Sequence, residues 1–150
     1  MNLPDEAATA ALASAFAGQL RAGDVVGLSG DLGSGKTTFV RYLLAALGHE
    51  GEVPSPSFAI VQPYFHMALG VLLHADLYRI QHPSELAELG LDSSGDDSVL
   101  IVEWPEHAGP SAWPDALRLT FDITGPESRR LTASVPAAWE GRWPPPAFQP

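Results

Sequence analysis

The sequence has no cysteine and only one lysine, and each shortage excludes a group of functions. Without cysteine there is no disulfide, no thiol nucleophile and no cysteine-ligated zinc, which is compatible with the cytoplasmic location that we expect. No run of about 18 apolar residues is present, so no membrane span is predicted. Eighteen acidic residues outnumber eight basic ones, and the resulting formal net charge of -10 argues against strong direct binding to nucleic acid.

The residues that are present are typical of a folded globular protein. Hydrophobic residues make up 45% of the chain and charged residues 17%, a balance that disordered chains do not have. The length fits a single domain, which we place at residues 1–136. The remaining residues, 137–150, are rich in proline and tryptophan and show no periodicity, so we predict an irregular tail there.

Apolar periodicity and turn signals predict alternating helices and strands. The predicted helices cover residues 3–20, 37–47 and 83–89, and the predicted strands cover 25–28, 59–64, 71–75, 99–102, 117–123 and 130–135. This alternation predicts an α/β fold, in which the last two strands pair antiparallel. With the loop described next, it indicates a P-loop NTPase three-layer sandwich with a mostly parallel central sheet and an added antiparallel portion.

A glycine-rich loop carries the strongest functional signal. The residues Gly30-Asp31-Leu32-Gly33-Ser34-Gly35-Lys36-Thr37 match the phosphate-binding pattern Gly-x-x-x-x-Gly-Lys-Ser/Thr, between a predicted strand and a predicted helix. Glycines allow the backbone to turn tightly with its N–H groups pointing inward, and the helix N-terminus adds a favourable dipole for anions. Lys36 is expected to reach the β- and γ-phosphates, and Thr37 to place its hydroxyl on Mg²⁺.

Such a loop needs an acidic partner at the end of a neighbouring buried strand, and two residues fit that position. Asp76 follows the apolar residues 71–75, and Glu103 follows residues 99–102. The pattern alone leaves open which of the two binds metal and which orients water. Ser55 and Ser57, set between prolines, fit a loop that senses the γ-phosphate, although the pattern slightly favours a plain rigid turn.

Several classes of P-loop protein do not fit the sequence. The Asn-Lys-x-Asp element of GTPases is absent, because the only lysine lies in the P-loop, and adenine is therefore the expected base. No basic cluster resembles the lid of a small-molecule kinase. The histidines lack metal-ligand spacing, and His74, on an apolar strand, is predicted to be a satisfied core residue.

The motifs together resemble the TsaE family, the small ATPase component of the bacterial machinery that makes threonylcarbamoyladenosine in tRNA. The resemblance extends from Leu3 to about Val135. The motifs that carry it are Leu3-Pro4-Asp5-Glu6, the P-loop through Thr38, Ser55-Pro56-Ser57-Phe58, His74-Ala75-Asp76-Leu77-Tyr78-Arg79, Glu85-Leu86 with Leu89-Gly90, and Glu103-Trp104-Pro105-Glu106.

The resemblance implies roles that the pattern left open. It implies Glu103 as the metal-side acid with Thr37 as its partner ligand, and Asp76 as a residue of hydrolysis. It also implies that Glu6, at the start of the first helix, lies near the base. A late arginine is expected near the nucleotide, and between Arg129 and Arg130 we select Arg129. Ser57 and Trp104 complete the predicted nucleotide contacts.

The implied function is ATP hydrolysis with Mg²⁺, slow in the isolated protein and faster beside the protein pair that transfers the threonylcarbamoyl group. Two other functions are compatible with a P-loop. One is a stand-alone nucleotide or metabolite kinase, and the other is a nucleotide-dependent interaction module with negligible turnover.

Overall fold

The computed structural model describes residues 1–53, 61–66, 69–91 and 97–149, and within them seven strands form one sheet. The strands are β1 (Asn2–Leu3), β2 (Val25–Ser29), β3 (Val61–His66), β4 (Gly70–Asp76), β5 (Ser98–Glu103), β6 (Leu117–Ile123) and β7 (Arg129–Ser134). Their order across the sheet is β1-β7-β6-β2-β5-β4-β3. The four central strands β6, β2, β5 and β4 are parallel, whereas β3, β7 and β1 pair antiparallel at the two edges. The predicted fold class is confirmed.

Three α-helices occur in the described part of the chain, α1 (Glu6–Ala17), α2 (Lys36–Ala46) and α3 (Glu85–Leu89). The prediction that the first helix begins at Leu3 is wrong. Leu3 lies in β1 opposite Arg129, because a residue that precedes a proline disfavours helical angles. Asp5 caps the helix instead, and its carboxylate accepts a hydrogen bond of 2.9 Å from the N–H of Ala8.

Side chains that alternate along the central strands build a hydrophobic core on each face of the sheet. Val99 and Ile101 of β5 belong to the larger core, together with the buried faces of α1 and α2. Leu100 and Val102 belong to a smaller core with Leu86 of α3. This period of two is what a strand covered on both faces requires.

The segment after residue 136 forms short 3₁₀ turns, Ala137–Trp139 and Pro146–Phe148, and it packs against α1. The Trp139 ring is almost fully buried and stacks on Phe16 at a centroid distance of 5.6 Å. The Trp143 ring meets Phe16 edge-on at 5.4 Å. Sequence periodicity gives no indication of this packing, because the partners are far apart in the chain.

Parallel pairing brings the carboxyl ends of three central strands to the same edge of the sheet. Glu103 at the end of β5 is in register with Leu28 of β2 on one side and with Asp76 of β4 on the other. Ligands of parallel α/β sheets bind at such an edge. No helix in the described part of the chain is long and apolar enough to cross a membrane.

Candidate functional site

The P-loop connects β2 to α2, and its glycines are required by its geometry. Gly30 has a φ of +140°, and a Cβ there would lie 2.5 Å from the carbonyl oxygen of Phe121 and 2.6 Å from Oγ of Ser34. Gly35 has a φ of +107° and forms the N-cap of α2. Because Gly35 has no side chain to cap the helix, the amides of the first turn stay available for an anion.

Lys36 is the first residue of α2 and is only 5% exposed. Its Nζ donates to the carbonyl oxygens of Gly30 and Asp31, the latter at 3.1 Å. Burial lowers the pKa of the Lys36 ammonium below its ordinary value of 10.5. Four nearby carboxylates act in the opposite direction without cancelling this shift: Glu103, Asp76, Glu106 and Asp31. A buried cation of this kind gains from an anionic ligand.

Trp104 lies directly beside Lys36 and takes a backbone conformation that is uncommon outside glycine. Its φ and ψ are 59° and 49°, in the left-handed region. This conformation places the indole ring under the ammonium, with Nζ 4.4 Å from the ring centroid. The contact is a cation–π interaction, which stabilises the cation in a place where water has limited access.

Glu103 lies between the P-loop helix and the neighbouring strand β4, and only 3% of it is exposed. The Thr37 hydroxyl lies 3.1 Å from Oε1 and 3.0 Å from Oε2 of this carboxylate. On the other side, Nε2 of His74 lies 2.6 Å from Oε2. The two predicted metal-side residues, Thr37 and Glu103, are therefore in direct contact.

Asp76 ends strand β4 beside Glu103 and is also largely buried. Its Oδ1 accepts a hydrogen bond of 2.8 Å from the N–H of Tyr78, which orients the carboxylate at the strand end. The two acids that the pattern could not tell apart thus differ in surroundings. Glu103 contacts the hydroxyl of the P-loop, whereas this bond of Asp76 is made with the backbone of its own turn.

Arg129, at the start of β7, braces the P-loop from the opposite side. Its Nε donates to the carbonyl oxygen of Ser34 at 3.0 Å, and its NH2 group to that of Gly33 at 3.2 Å. The third nitrogen, Nη1, donates to the carbonyl oxygens of its own turn, at Gly125 and Ser128. The adjacent arginine, Arg130, is in register with Asn2 and Asp122 instead.

These elements enclose a cavity of about 670 Å³, a size typical of sites for small-molecule ligands. The predicted site residues that line it are Glu6, Leu32, Gly33, Ser34, Gly35, Lys36, Thr37, Thr38, Asp76, Glu103, Trp104 and Arg129. Gly30 and Asp31 instead contact Lys36 through their carbonyl groups. Ser57 lies outside the described residues, as does Ser55.

Sequence reasoning missed part of this lining. Thr9 of α1 and the turn residues Pro126 and Glu127 also border the cavity. The only signal for the turn was its position just before Arg129 in the chain.

Sequence reasoning also missed the contact of His74 with Glu103, because the prediction treated that histidine as a core residue only. Its Nδ1 is buried and has no hydrogen-bond partner in the described part of the chain, so the core position satisfies the ring only in part.

The donor set suits magnesium better than a transition metal. Among the described residues, no group of three or more histidine, aspartate or glutamate side chains could hold an ion. Mg²⁺ does not need such a group, because it is usually bound by one or two protein oxygens together with phosphates and waters. The adjoining oxygens of Thr37 and Glu103 fit that requirement.

Comparison with known proteins gives a consistent result. The family model described as threonylcarbamoyl adenosine biosynthesis protein TsaE matches residues 3–131. A tRNA threonylcarbamoyladenosine biosynthesis protein TsaE from Streptomyces coelicolor is 44% identical over 123 residues, which cover 77% of this chain and 82% of that protein. The protein of the same name from Haemophilus influenzae is 42% identical over 93 residues, covering 61% of this chain and 58% of the relative.

A solved structure extends the similarity to the fold. The crystal structure of Bacillus subtilis YdiB superimposes with a TM-score of 0.71 at 28% sequence identity, over 95% of this chain and 88% of that one. The family model covers most of the chain, including the P-loop, Asp76 and Glu103. The chain therefore belongs to the TsaE family, whose members act in threonylcarbamoyladenosine biosynthesis.

Proposed function

We propose that this protein binds ATP and hydrolyses it with Mg²⁺ as a component of tRNA threonylcarbamoyladenosine biosynthesis. The observation that supports this most directly is the contact between the P-loop hydroxyl of Thr37 and the carboxylate of Glu103, at 3.0 Å. That contact joins a phosphate-binding loop to a metal-side acid, the pair on which P-loop NTPases depend. The membership of the family supplies the biological setting.

Binding of the phosphates rests on the P-loop and its helix. The amides of the loop and of the first turn of α2 would surround the phosphate oxygens, and Lys36 would turn its Nζ from the carbonyl of Asp31 towards them. Arg129 supports this arrangement, because its hydrogen bonds to the carbonyl groups of Gly33 and Ser34 hold the backbone of the loop in place.

Thr37 and Glu103 would hold the magnesium ion, which supplies neutralisation of the charge on the phosphate oxygens. Asp76, in register with Glu103 at the edge of the sheet, would orient and polarise a water molecule. Trp104 and Lys36 line the same cavity and contact each other.

The base is expected at the far end of the cavity, beside the start of α1. Glu6 lies there with Thr9, and the turn residues Pro126 and Glu127 border the same cavity. If the Glu6 carboxylate faces position 6 of the purine, it would accept a hydrogen bond from the amino group of adenine, whereas guanine carries a carbonyl oxygen at that position. This agrees with the absence of the Asn-Lys-x-Asp element from the sequence.

The partners that we propose are proteins, namely the pair that transfers the threonylcarbamoyl group. The net charge of -10 disfavours direct contact with the RNA backbone. We expect slow ATP hydrolysis in the isolated protein and a higher rate when the transferase pair is added.

The first test measures single-turnover ATP hydrolysis with and without Mg²⁺ in the parent protein and in Asp76→Ala and Glu103→Ala. We expect both variants to lose most of the activity, and Glu88→Ala, which changes an exposed acid on α3, to retain it. Unchanged rates in both site variants would refute the catalytic roles. Transfer of the γ-phosphate to a small acceptor instead of water would point to a kinase.

The second test is a pull-down of the transferase proteins with the protein as bait, in ATP, ADP or no nucleotide. We expect recovery to depend on the nucleotide. Failure to recover them under every condition would count against the proposed partners, whereas nucleotide-dependent recovery without turnover would indicate an interaction module.

A further inference from the structure

His74 lies next to the proposed metal site but has no part in the function proposed so far. It stands on β4 two residues before Asp76 and has no measurable exposure. Its Nε2 lies 2.6 Å from Oε2 of Glu103. The contact joins two adjacent parallel strands at the edge of the sheet where the cavity lies.

The contact has a definite direction. A carboxylate oxygen only accepts, so the hydrogen of this bond is assigned to Nε2 of His74. Thr37 donates to the same carboxylate from the side of α2. The Glu103 carboxylate therefore accepts hydrogen bonds from two sides, from an imidazole on one strand and from a hydroxyl on the P-loop helix. A glutamate side chain has several rotatable bonds, and these two donors remove most of that freedom.

The position of His74 is a costly one for a residue that only packs. Its neighbours Leu72, Val99 and Ile101 are apolar and buried, and they belong to the larger core. An imidazole in such surroundings loses hydration that only hydrogen bonds can replace. Nδ1 has no partner in the described residues, so one of the two ring nitrogens stays unsatisfied. A leucine would fill the same space without that penalty.

We propose that His74 is a positioning residue that holds the Glu103 carboxylate in the orientation needed to receive Mg²⁺ with the nucleotide. It acts through Glu103 and touches neither the ion nor the phosphates. This inference rests on the metal-side role proposed for Glu103. Outer hydrogen-bond partners of this kind typically change metal affinity by about 10- to 100-fold when they are removed.

The experiment compares His74→Gln with His74→Asn. The amide nitrogen of glutamine reaches about as far as Nε2, so it can still donate to Glu103, whereas that of asparagine reaches only about as far as Nδ1. The measurement is the Mg²⁺ concentration that gives half-maximal binding of a non-hydrolysable ATP analogue, with affinity in excess chelator as the reference. For His74→Asn we expect a requirement about 10- to 100-fold higher. His74→Gln should stay close to the parent protein, and affinity in chelator should be the same for all three.

Two outcomes would overturn the inference. Equal shifts in His74→Gln and His74→Asn would assign the residue to packing, and no shift in either would show that Glu103 needs no support. If His74→Asn does not fold, His74→Leu suits the apolar surroundings and should show the same raised Mg²⁺ requirement. An unshifted His74→Leu would equally reject the proposal.

Glu103→Gln separates this inference from the proposed function. If that variant binds the analogue with an unchanged Mg²⁺ requirement, the metal-side role of Glu103 is wrong and the inference falls with it. If Glu103→Gln shifts the requirement but the His74 variants do not, the proposed function stands and only the positioning role is rejected.

Discussion

Buried charged residues lie beyond both ends of strand β2, and the two groups differ in how completely their charges are partnered. Before the strand, Asp24 pairs with Arg142, whose NH1 and NH2 groups each bond to one carboxylate oxygen, at 2.8 and 2.9 Å. The same two groups also donate to the carbonyl oxygens of Gln19 and Ala138. The guanidinium lies 4.0 Å from the centroid of the Trp139 ring as well.

Around the P-loop, which follows the strand, the buried polar groups have only part of the hydrogen-bond partners that they need. Lys36 has a lowered pKa because burial outweighs the carboxylates around it. Oγ of Ser34 and Nδ1 of His74 are buried without a hydrogen-bond partner among the described residues. The difference teaches how to interpret buried charge in this fold. Breaking a set that is complete in itself should destabilise the fold, whereas we propose that the incomplete set is arranged for a ligand.

Trp139→Ala should have the largest effect, because it removes an almost fully buried ring that stacks on Phe16. We expect the free energy of unfolding to fall by about 4 kcal/mol. Chemical denaturation measures the loss, and nucleotide affinity of the folded fraction should not change. A denaturation midpoint equal to that of the parent would show that the tail does not pack on α1.

Arg142→Met should lower the free energy of unfolding by about 3 kcal/mol, because it leaves the Asp24 carboxylate buried without its partner. Asp24→Asn in the same chain should recover part of this loss, since it removes the unpaired charge. A double-mutant cycle by denaturation gives the coupling. Additive single effects would contradict the complete pairing described here.

Lys36→Met tests the P-loop side of β2. Unlike the two preceding variants, it should reduce activity without reducing stability. We expect ATP turnover to fall by about 100-fold, equivalent to about 2.7 kcal/mol of transition-state stabilisation. The melting temperature should stay the same or rise, because an apolar side chain avoids the cost of burying the ammonium. Arg41→Met, an exposed cation on the same helix, serves as the control and should change neither quantity. A large loss of stability in Lys36→Met would place this lysine with the structural charges.

Glu106→Gln should have the smallest effect. Its Oε2 accepts a 2.7 Å hydrogen bond from the Ser29 hydroxyl in an exposed position. Exposed pairs contribute at most about 1 kcal/mol, so we expect unfolding free energy to change by less than that. Thermal melts of this variant and of Ser29→Ala provide the check. An effect as large as that of Arg142→Met would mean that burial does not determine how much such a polar contact contributes to stability.

The parts of the molecule predicted well from sequence are those that local chemistry determines. The P-loop and the start of α2 are encoded in consecutive residues, and the strand of residues 117–123 was predicted with its observed bounds. Periodicity also placed Asp76 and Glu103 at strand ends. Their neighbourhood then followed from the parallel pairing of β4 with β5.

The parts that could not be predicted depend on contacts between distant residues. Leu3 pairs with Arg129 instead of starting the helix; Pro4 disfavours a helical Leu3, but nothing near Leu3 in the sequence specifies the strand with which it pairs. The contact of His74 with Glu103 depends on strand register, which a single apolar run does not specify. Alternation along β7 shows that Arg129 and Arg130 face opposite ways, but it does not show which one faces the P-loop. The division into a domain of residues 1–136 and a tail stays a prediction.

The stacking of Trp139 on Phe16 also constrains the order in which the chain can mature during translation. Helix α1 is made early and can cover one side of Phe16 with Phe39 of α2, but the other two aromatic partners, Trp139 and Trp143, follow all seven strands of the sheet. Strand β1 likewise waits for β7. Domains fold during synthesis once their parts are available. The nascent chain must therefore carry a Phe16 that is only partly covered until those residues are made, so the wall of the cavity formed by α1 is fixed in place late.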